Sequence, residues 1–387
     1  MKNLLLVFLF AAYLINGQTE QNELISGFRA SRILSSYPNN QFPNPLYWAS
    51  AGEFISSKFQ NSNSAAIWIV SLYIDGGYTQ LNFPNPGGSY PYVYFINSDY
   101  NETYLNLFDQ KGIKVYLQVE PGAAKIDTLI HIVLNKYKHH PCVVGFGIDV
   151  EWYNTHLLSG GQKVTDIEAR RWENKVKSID SNYTLFLKHY GQAWMPPTYR
   201  GNILFVDDSQ DFVSLNSMVS EFKAWGNKFK PNKVAFQYGY PIDKHWWSKL
   251  NDPIKTIGNS LLSNISNCAG LFWVDFTIND VYPVTNVISE HSENNLNFEV
   301  SNNYPNPFNP KTNFMVYIPQ NGNLLCQVFD INGREIEEIY NGNVYPGKYQ
   351  FHFNGEKLSS GIYLLKISFT DLENKLYIKL NKMSLIK

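Results

Sequence analysis

The chain alternates between two patterns of apolar and polar residues from about residue 25 to residue 285. Short apolar runs, typical of buried β-strands, are separated by longer stretches whose apolar residues recur every three or four positions, as in amphipathic helices. Eight runs of the first kind predict eight strands. They are residues 26–33, 65–74, 113–122, 142–153, 183–191, 202–210, 233–241 and 269–278.

Eight strands that alternate with helices predict an α/β fold, specifically a (β/α)8 TIM barrel. The run 142–153 is apolar at most positions, as a strand of a parallel sheet is when both of its faces are buried. We therefore expect the barrel to span residues 25–288. In such barrels the functional residues lie at the C-terminal ends of the strands.

The pattern changes near residue 290. Residues 289–300 are polar and predict a linker. Short strands of alternating polarity, separated by Gly and Asn turns, then follow. Residues 301–387 are therefore predicted to form a small all-β sandwich of the immunoglobulin-like (Ig-like) type, without paired acids or a histidine cluster.

Residues 1–17 predict a secretory signal peptide. One lysine precedes an apolar run from Leu4 to about Ile15, and small and polar residues follow, with cleavage expected near Gly17. No later segment is long and apolar enough to span a membrane. We therefore expect the chain to be secreted.

Charge and cysteine usage exclude some classes of function. The formal net charge is −1 and no basic block occurs, so nucleic acid is not an expected partner. Cys142, Cys268 and Cys326 predict buried free thiols rather than disulfides. His139 and His140 lie in a lysine-rich stretch that predicts a solvated turn. No cluster has the spacing of metal ligands, so we expect neither metal nor cofactor, and we expect a monomer.

The candidate chemistry lies in the fourth strand, VVGFGIDVEWY (143–153). Asp149 and Glu151 are two positions apart, and side chains at this spacing share one face of a strand. Two close, buried carboxyls have pKa values that are pushed apart, which suits acid catalysis of glycoside cleavage. The competing interpretation is a structural ion pair, or a charge at the start of a helix.

Polar residues end nearly every predicted strand, and aromatic residues make up 16% of the chain. Sugar rings stack on aromatic faces, although aromatic-rich cores also occur. Together these features predict an open, acidic, aromatic-lined cleft suited to a polysaccharide. The polar strand ends are Arg29, Asp75, Gln118, Glu120, Asp149, Glu151, His189, Tyr190, Asp207, Asp208, Gln237, Tyr238, Trp273 and Asp275.

The C-terminal module resembles the sorting domain of type IX secretion. The resemblance rests on the opening YPNPFNP, the turn DINGRE and the strand LSSGIY, within residues 296–387. It implies a cargo of the Bacteroidetes type. The signal peptide would take this cargo to the periplasm, and the secretion machinery would carry it across the outer membrane to the cell surface or the medium.

The fourth strand resembles the D-G-x-D-x-D-x-E motif of glycoside hydrolase family 18, the chitinase and endo-N-acetylglucosaminidase family. In VGFGIDVE (144–151), Glu151 matches the acid/base and Asp149 matches the Asp that assists the substrate's acetamido group. Val144 and Gly147 stand where the motif has its first two Asp residues. The eighth strand, GLFWVDF, implies Trp273 as the floor of a sugar site. Family 25 lysozymes also place a D-x-E pair on a barrel strand, and I-D-V-E-W fits that family as well.

The resemblance implies a retaining glycoside hydrolase that cleaves β-linked N-acetylhexosamine glycans of the chitin, peptidoglycan or N-glycan type. Glu151 would protonate the leaving oxygen, and Asp149 would stabilise the attacking acetamido group. Tyr238 or Gln237 would bind that group. The expected substrate-binding residues are Trp273, Tyr238, Gln237, Asp207, Asp208, Glu120, Asp275 and Tyr190.

Each of these assignments has an alternative. Trp273 and Tyr238 would also suit a barrel core, and the acids at 207 and 208 would also suit a helix cap. At the level of function, the barrel could bind a glycan without cleaving it. It could also hydrolyse another polysaccharide with two protein carboxylates, such as Glu120 and Glu151.

Overall fold

The computed structural model describes residues 24–156, 161–283, 298–345, 347–371 and 375–387. The predicted signal peptide, and residues 289–297 of the predicted linker, lie outside these described residues. Within the described part, none of the helices combines the length and the apolarity needed to cross a membrane.

The first part of the chain forms a closed barrel. Strand β1 pairs in parallel with both β2 and β10, and this closes a ring of eight parallel strands in the order β1, β2, β5, β6, β7, β8, β9, β10. The predicted TIM barrel is therefore observed. The strands are β1 Leu24–Ala30, β2 Ser62–Ile74, β3 Tyr78–Leu81, β4 Val93–Phe95, β5 Lys114–Val119, β6 Val143–Asp149, β7 Thr184–Lys188, β8 Ile203–Asp207, β9 Val234–Tyr238 and β10 Cys268–Val274.

Helices join most of the barrel strands, and local sequence sets their ends. Helix α4 begins with a capping box between Thr165 and Glu168, and α2 ends at Gly112, whose φ of 66° suits a residue without a Cβ. Strands β3 and β4 extend the sheet beyond β2. The helices are α1 Pro45–Ser56, α2 Glu102–Lys111, α3 Ile126–Tyr137, α4 Asp166–Lys177, α5 Leu215–Phe229, α6 Lys244–Trp247, α7 Pro253–Asn264 and α8 Ile278–Val281.

Alternate strand residues enter two separate hydrophobic clusters. One lies between the sheet and the helices; the other fills the barrel interior. Seven of the nine tryptophans are buried, so the high aromatic content mostly packs this fold rather than lining a cleft. The interior cluster consists of Ile25, Ala65, Ile67, Phe186, Leu204, Val206, Ala235 and Phe272.

A buried ion pair joins the first barrel strand to the segment after the last one. Arg29 Nη1 donates to Asp275 Oδ1 at 2.6 Å, and the other oxygen accepts from the Ser31 amide at 2.7 Å. The Ser31 and Tyr37 hydroxyls also donate to Asp275 Oδ2, at 2.6 and 2.5 Å. Both carboxylate oxygens of Asp275 are thus occupied by the protein. This geometry therefore does not favour the expected role of Asp275 in binding substrate.

The C-terminal part contains two antiparallel sheets around one hydrophobic cluster, in keeping with the predicted sandwich; the Ig-like type remains a prediction. The DINGRE turn closes the β13–β14 hairpin, because Asp330 Oδ1 accepts from the amides of Asn332 and Arg334. The strands are β11 Glu299–Val300, β12 Lys311–Ile318, β13 Gly322–Asp330, β14 Glu335–Val344, β15 Gly347–Asn354, β16 Gly361–Asp371 and β17 Leu376–Leu385.

The prediction of three buried free thiols is confirmed. Cys142, Cys268 and Cys326 are each buried and unpaired with another cysteine. Burial raises the pKa of Cys268 and of Cys326 to about 12, so both remain thiols at neutral pH.

Replacing Asp275 with Ala should destabilise the barrel by about 3–5 kcal/mol, because Arg29 would keep its charge in a buried place without a partner. The control is Asp280→Ala, which breaks the exposed Lys244–Asp280 pair and should cost less than about 1 kcal/mol. Urea unfolding followed by tryptophan fluorescence measures both, since every tryptophan lies in the barrel. Equal losses in the two variants would contradict the assignment.

Candidate active site

The interior of the barrel changes from apolar to polar toward the C-terminal ends of the strands. Residues two positions beyond the apolar interior cluster keep the same inward direction, because strand side chains alternate. At this level six inward residues are charged or carry amides. They are Arg29, Gln118, Asp149, Lys188, Asp208 and Gln237, and all six are buried.

Lys188, the last residue of β7, lies at the centre of this layer. Its Nζ is 2.8 Å from Asp149 Oδ2 and 3.9 Å from Glu151 Oε2, and it donates to Asp208 Oδ2. Burial lowers the pKa of Lys188, but the adjacent carboxylates of Asp149 and Asp208 outweigh burial and raise it. Lys188 therefore stays charged and holds two buried acids together.

Asp149, the last residue of β6, has one occupied and one free carboxylate oxygen. Oδ2 forms an ion pair with Lys188 Nζ at 2.8 Å and accepts a hydrogen bond from Gln118 Nε2 at 3.3 Å. Oδ1 is buried and has no hydrogen-bond partner. Burial raises the pKa of Asp149, the Lys188 ammonium lowers it, and the charges of Asp208 and Glu151 raise it further. The free oxygen is an acceptor position for a ligand.

Glu151 does not belong to strand β6, so the prediction of one strand over residues 142–153 is wrong, although both carboxylates approach the Lys188 ammonium. Strand β6 ends at Asp149, and residues 150–152 form a single 3₁₀ turn. This turn leaves the Glu151 side chain 40% exposed, while Asp149 is buried. Burial of the inner part of Glu151 raises its pKa, and the nearby Lys188 opposes the rise. The pair thus consists of one enclosed acid and one accessible acid.

Glu120 is a third acid near this pair. Its Oε2 accepts from the Tyr73 amide at 2.8 Å, and its own amide donates to Ser71 Oγ. Burial raises the pKa of Glu120, and the negative charge of Glu151 adds to the rise. The ring of Tyr73 stacks on Trp152 at 4.8 Å, which forms an aromatic wall beside Glu151.

Gln237 on β9 and Tyr240 just after β9 add further hydrogen-bonding groups. The Tyr240 hydroxyl lies 3.5 Å from both Asp208 Oδ2 and Gln237 Oε1. Gln237 Nε2 is buried and has no hydrogen-bond partner. Tyr190 is 51% exposed at the rim, and its ring packs on His189 at 4.4 Å. These groups and Asp149 Oδ1 are available to a polar ligand, and Arg29 Nε, Gln118 Oε1 and Asp208 Oδ1 in the same layer also lack hydrogen-bond partners.

Three expected substrate-binding residues lie outside the barrel interior. Trp273 and Tyr238 belong to the cluster between sheet and helices, where their rings pack edge to face at 5.4 Å. Trp273 Nε1 donates to Thr277 Oγ1 at 2.9 Å. Asp207 shares the outward direction of Phe205, and its Oδ1 accepts from Ser209. Each of these three residues is one position away from an inward residue of its strand, so its side chain points to the outer face of the barrel.

Lys188 is the functional candidate that sequence reasoning missed. Within the run YTLFLKHYG, Lys188 is two positions after Phe186 and shares its inward face. A lysine at an inward position of an apolar strand indicates a buried carboxylate partner. The two-residue alternation of strand side chains was enough to identify Lys188 as such a residue.

Groups that could hold a metal lie at the other end of the barrel. Within the described residues, the two suitable groupings are Glu102 with His139 and His140, and Asp109 with His140 and Cys142. Both surround the loop that precedes β6, whereas the acids described above lie at or just beyond the C-terminal ends of barrel strands. A cavity of about 610 Å³ also opens at that opposite end, beside strand starts such as Ile25 and Thr184.

Comparison with known proteins identifies the C-terminal module. Residues 302–379 match the family described as "Secretion system C-terminal sorting domain". The predicted type IX sorting domain is confirmed, and it indicates export and a cell-surface or secreted protein. No curated protein is similar enough in sequence to count as a match.

Several solved structures are similar to parts of the chain. Latent PorU of Porphyromonas gingivalis is 17% identical over 22% of this chain and 9% of its own, with a TM-score of 0.18. β-Glucuronidase 3 of Bacteroides uniformis is 10% identical over 94% of this chain and 49% of its own, with a TM-score of 0.38. The chain therefore spans about half of that enzyme and a small part of PorU.

The endo-fucoidan hydrolase MfFcnA9 of glycoside hydrolase family 107 is a third similar structure. It is 9% identical over 95% of this chain and 80% of its own, with a TM-score of 0.36. Because these scores and identities are low, we base the fold on the strand pairing and the function on the geometry of the site.

Lys188→Met should lower the free energy of unfolding by about 3–5 kcal/mol at neutral pH, because it leaves Asp149 and Asp208 buried without a cation. Without the ammonium, the pKa of folded Asp149 would rise further above the unfolded value. The folded state would then bind more protons, so the variant should lose stability as pH rises from about 4 to 7.

Urea unfolding at several pH values measures this dependence, with the exposed Lys228→Met on α5 as the control. Parallel stability curves for the two variants across this pH range would show that Lys188 does not hold the acids.

Proposed function

We propose that this chain is a secreted glycoside hydrolase with Glu151 as its general acid. One observation carries the proposal: Glu151 combines a raised pKa with an accessible side chain, at the C-terminal mouth of the barrel. A general acid needs both a retained proton and contact with the substrate. The confirmed sorting domain supports a substrate outside the cell.

Asp149 has the arrangement needed to stabilise a positive charge on a substrate group. Lys188 and Gln118 hold one of its oxygens, and Oδ1 is free. In a substrate-assisted reaction, the acetamido oxygen attacks the anomeric carbon while Glu151 protonates the leaving oxygen. The acetamido N–H would then donate to Asp149 Oδ1. Water that attacks the resulting intermediate would return its proton to Glu151, with retention of configuration.

The departures from the family 18 pattern have a physical counterpart in this chain. A Cβ at Gly147 would collide with the ring of Phe186, so the barrel interior leaves no room there for an Asp. Lys188 occupies the polar side of Asp149 instead. We infer that Lys188 and Asp208 take over the charge control of Asp149 that the missing acids exert in the resembled motif.

The unsatisfied polar atoms at the mouth favour a hydroxyl-rich ligand. Gln237 Nε2 and Asp149 Oδ1 are a donor and an acceptor without protein partners. The Tyr240 hydroxyl lies between Gln237 and Asp208, and Trp152 and Tyr73 supply an apolar face. A β-linked N-acetylhexosamine offers an amide, hydroxyls and an apolar ring face to these groups.

Two other functions have support from particular residues. Glu120 is close enough for its pKa to respond to the charge of Glu151, as two cooperating protein carboxylates require. The tight Lys188 contacts of Asp149 would also suit a barrel that binds glycans without cleaving them.

The Glu151→Gln variant should lose about 10²–10⁴-fold in kcat, because Gln cannot donate the proton to the leaving group. The measurement is product analysis on chitin oligosaccharides, peptidoglycan and high-mannose N-glycans. The control is Glu221→Gln, an equal change at an exposed position on α5, which should retain full activity. Binding without cleavage by the wild type would identify a glycan-binding barrel and refute the enzyme assignment.

The pH profile of the wild type should follow the protonation of Glu151. The acid form is active, so kcat/KM should fall as pH rises through the pKa of Glu151. That pKa lies above the ordinary value of 4.5, because burial outweighs the opposing charge of Lys188. The alkaline limb of kcat/KM in the free enzyme measures it. A limb centred at or below 4.5 would exclude Glu151 as the acid.

A further inference from the structure

A histidine–carboxylate cluster lies at the end of the barrel opposite the acids. Glu102 is the first residue of α2, and His139 and His140 lie in the loop between α3 and β6. The sequence predicts a solvated turn here. His140 is instead 2% exposed, so this part of the prediction is wrong.

The two imidazoles approach one carboxylate oxygen. Glu102 Oε1 is hydrogen-bonded to His139 Nε2 at 3.1 Å and lies 3.3 Å from His140 Nε2, and one ligand atom of each residue lies within 4.8 Å of the other two. Ligands placed about 2.0–2.1 Å from a tetrahedral zinc ion are roughly 3.3 Å apart. The spacing therefore fits three ligands of one cation.

Asp109 fixes the orientation of His140. Asp109 Oδ2 is 2.6 Å from His140 Nδ1, and its Oδ1 accepts from the Cys142 amide at 2.8 Å. With Nδ1–H donated to Asp109, the lone pair of His140 is on Nε2. This arrangement of carboxylate, histidine and open nitrogen is the one that orients histidine ligands of metals.

The buried Nε2 of His140 lacks a hydrogen-bond partner. A neutral His140 would turn this lone pair toward the Glu102 carboxylate, which is an unfavourable contact between two acceptors. A doubly protonated His140 would resolve the conflict, but the Nε2–Glu102 geometry is not that of a hydrogen bond. A cation between these atoms satisfies all three ligands.

We propose that Glu102, His139 and His140 bind a divalent transition-metal cation of the zinc class, with Asp109 as the residue that positions His140. The His139 and Glu102 side chains are 55% and 38% exposed, which leaves an entry path and a position for a water ligand. The cation would tie the start of α2 to the loop before β6. This site is independent of the proposed glycosidase.

The alternative grouping with Cys142 is less suited to a metal. Cys142 Sγ lies 3.7 Å from the Leu105 carbonyl oxygen, a contact that suits a thiol and not a thiolate. Metal ligation requires the thiolate.

Isothermal titration of the full, metal-stripped chain with zinc chloride tests the proposal; the protein must carry no polyhistidine tag. We expect one zinc ion per chain. Asp109→Asn should weaken binding about 10–100-fold, as loss of an orienting partner does. His139→Ala and Glu102→Gln should weaken it more, because each removes a ligand.

His131→Ala is the matched control, since His131 is an exposed histidine of α3 that bonds to Asn135. It should bind zinc as the wild type does. His139 and Glu102 are exposed enough that their variants should fold, and thermal melts without metal verify this. Zinc should then raise the melting temperature of the wild type and of His131→Ala, but not that of His139→Ala or Glu102→Gln. Equal zinc affinity in the wild type and His139→Ala, or no binding by the folded wild type, would overturn the proposal.

Discussion

The contact of the buried Lys188 ammonium with the carboxylates of Asp149 and Asp208 determines the arrangement of polar groups at the C-terminal ends of the barrel strands. Acids are costly inside a protein unless a cation or hydrogen-bond donors compensate them. Lys188 compensates Asp149 and Asp208, and Arg29 compensates Asp275. The geometry of these contacts decides which groups remain for a ligand. Asp149 Oδ1 stays free because the ammonium occupies only Oδ2.

The barrel separates stability from chemistry along its axis. The lower interior, which is the part nearer the N-terminal ends of the strands, is apolar, and its side chains pack the strands together. The upper interior carries the charges, and its stability depends on matched pairs. Glu151 lies at the edge of this network, 3.9 Å from Lys188 Nζ, and its side chain reaches solvent because it follows the strand on a turn. An acid in that position can exchange a proton with a substrate without breaking the ion network below it.

Much of the fold could be predicted from the sequence, because strand and helix periods are local properties. The eight strands and the sorting domain follow from apolar runs and short motifs. The direction of strand-end side chains could not be predicted equally well. Trp273, Tyr238 and Asp207 lie one residue out of the inward register, and a shift of one position moves a side chain to the other face. The sequence also did not indicate that β6 ends at Asp149, because the residues of the following 3₁₀ turn continue the apolar run.

Contacts between residues that are distant along the chain could not be predicted from the sequence either. Lys188 meets Asp149 only because β6 and β7 are neighbours, and Asp208 joins them from the segment just after β8. His140 meets Asp109 and Glu102 through helix packing, 31 and 38 residues apart along the chain. Residues separated in this way show no spacing motif.

The proposed chemistry is tested most directly by the anomeric form of the first product, followed by time-resolved proton NMR on a cleaved β-linked oligosaccharide. Attack by the acetamido group predicts that the β-anomer forms first and that α-anomer appears only through later equilibration. Direct formation of the α-anomer would mean inversion by an activated water. That result would contradict the assigned roles of Asp149 and Glu151.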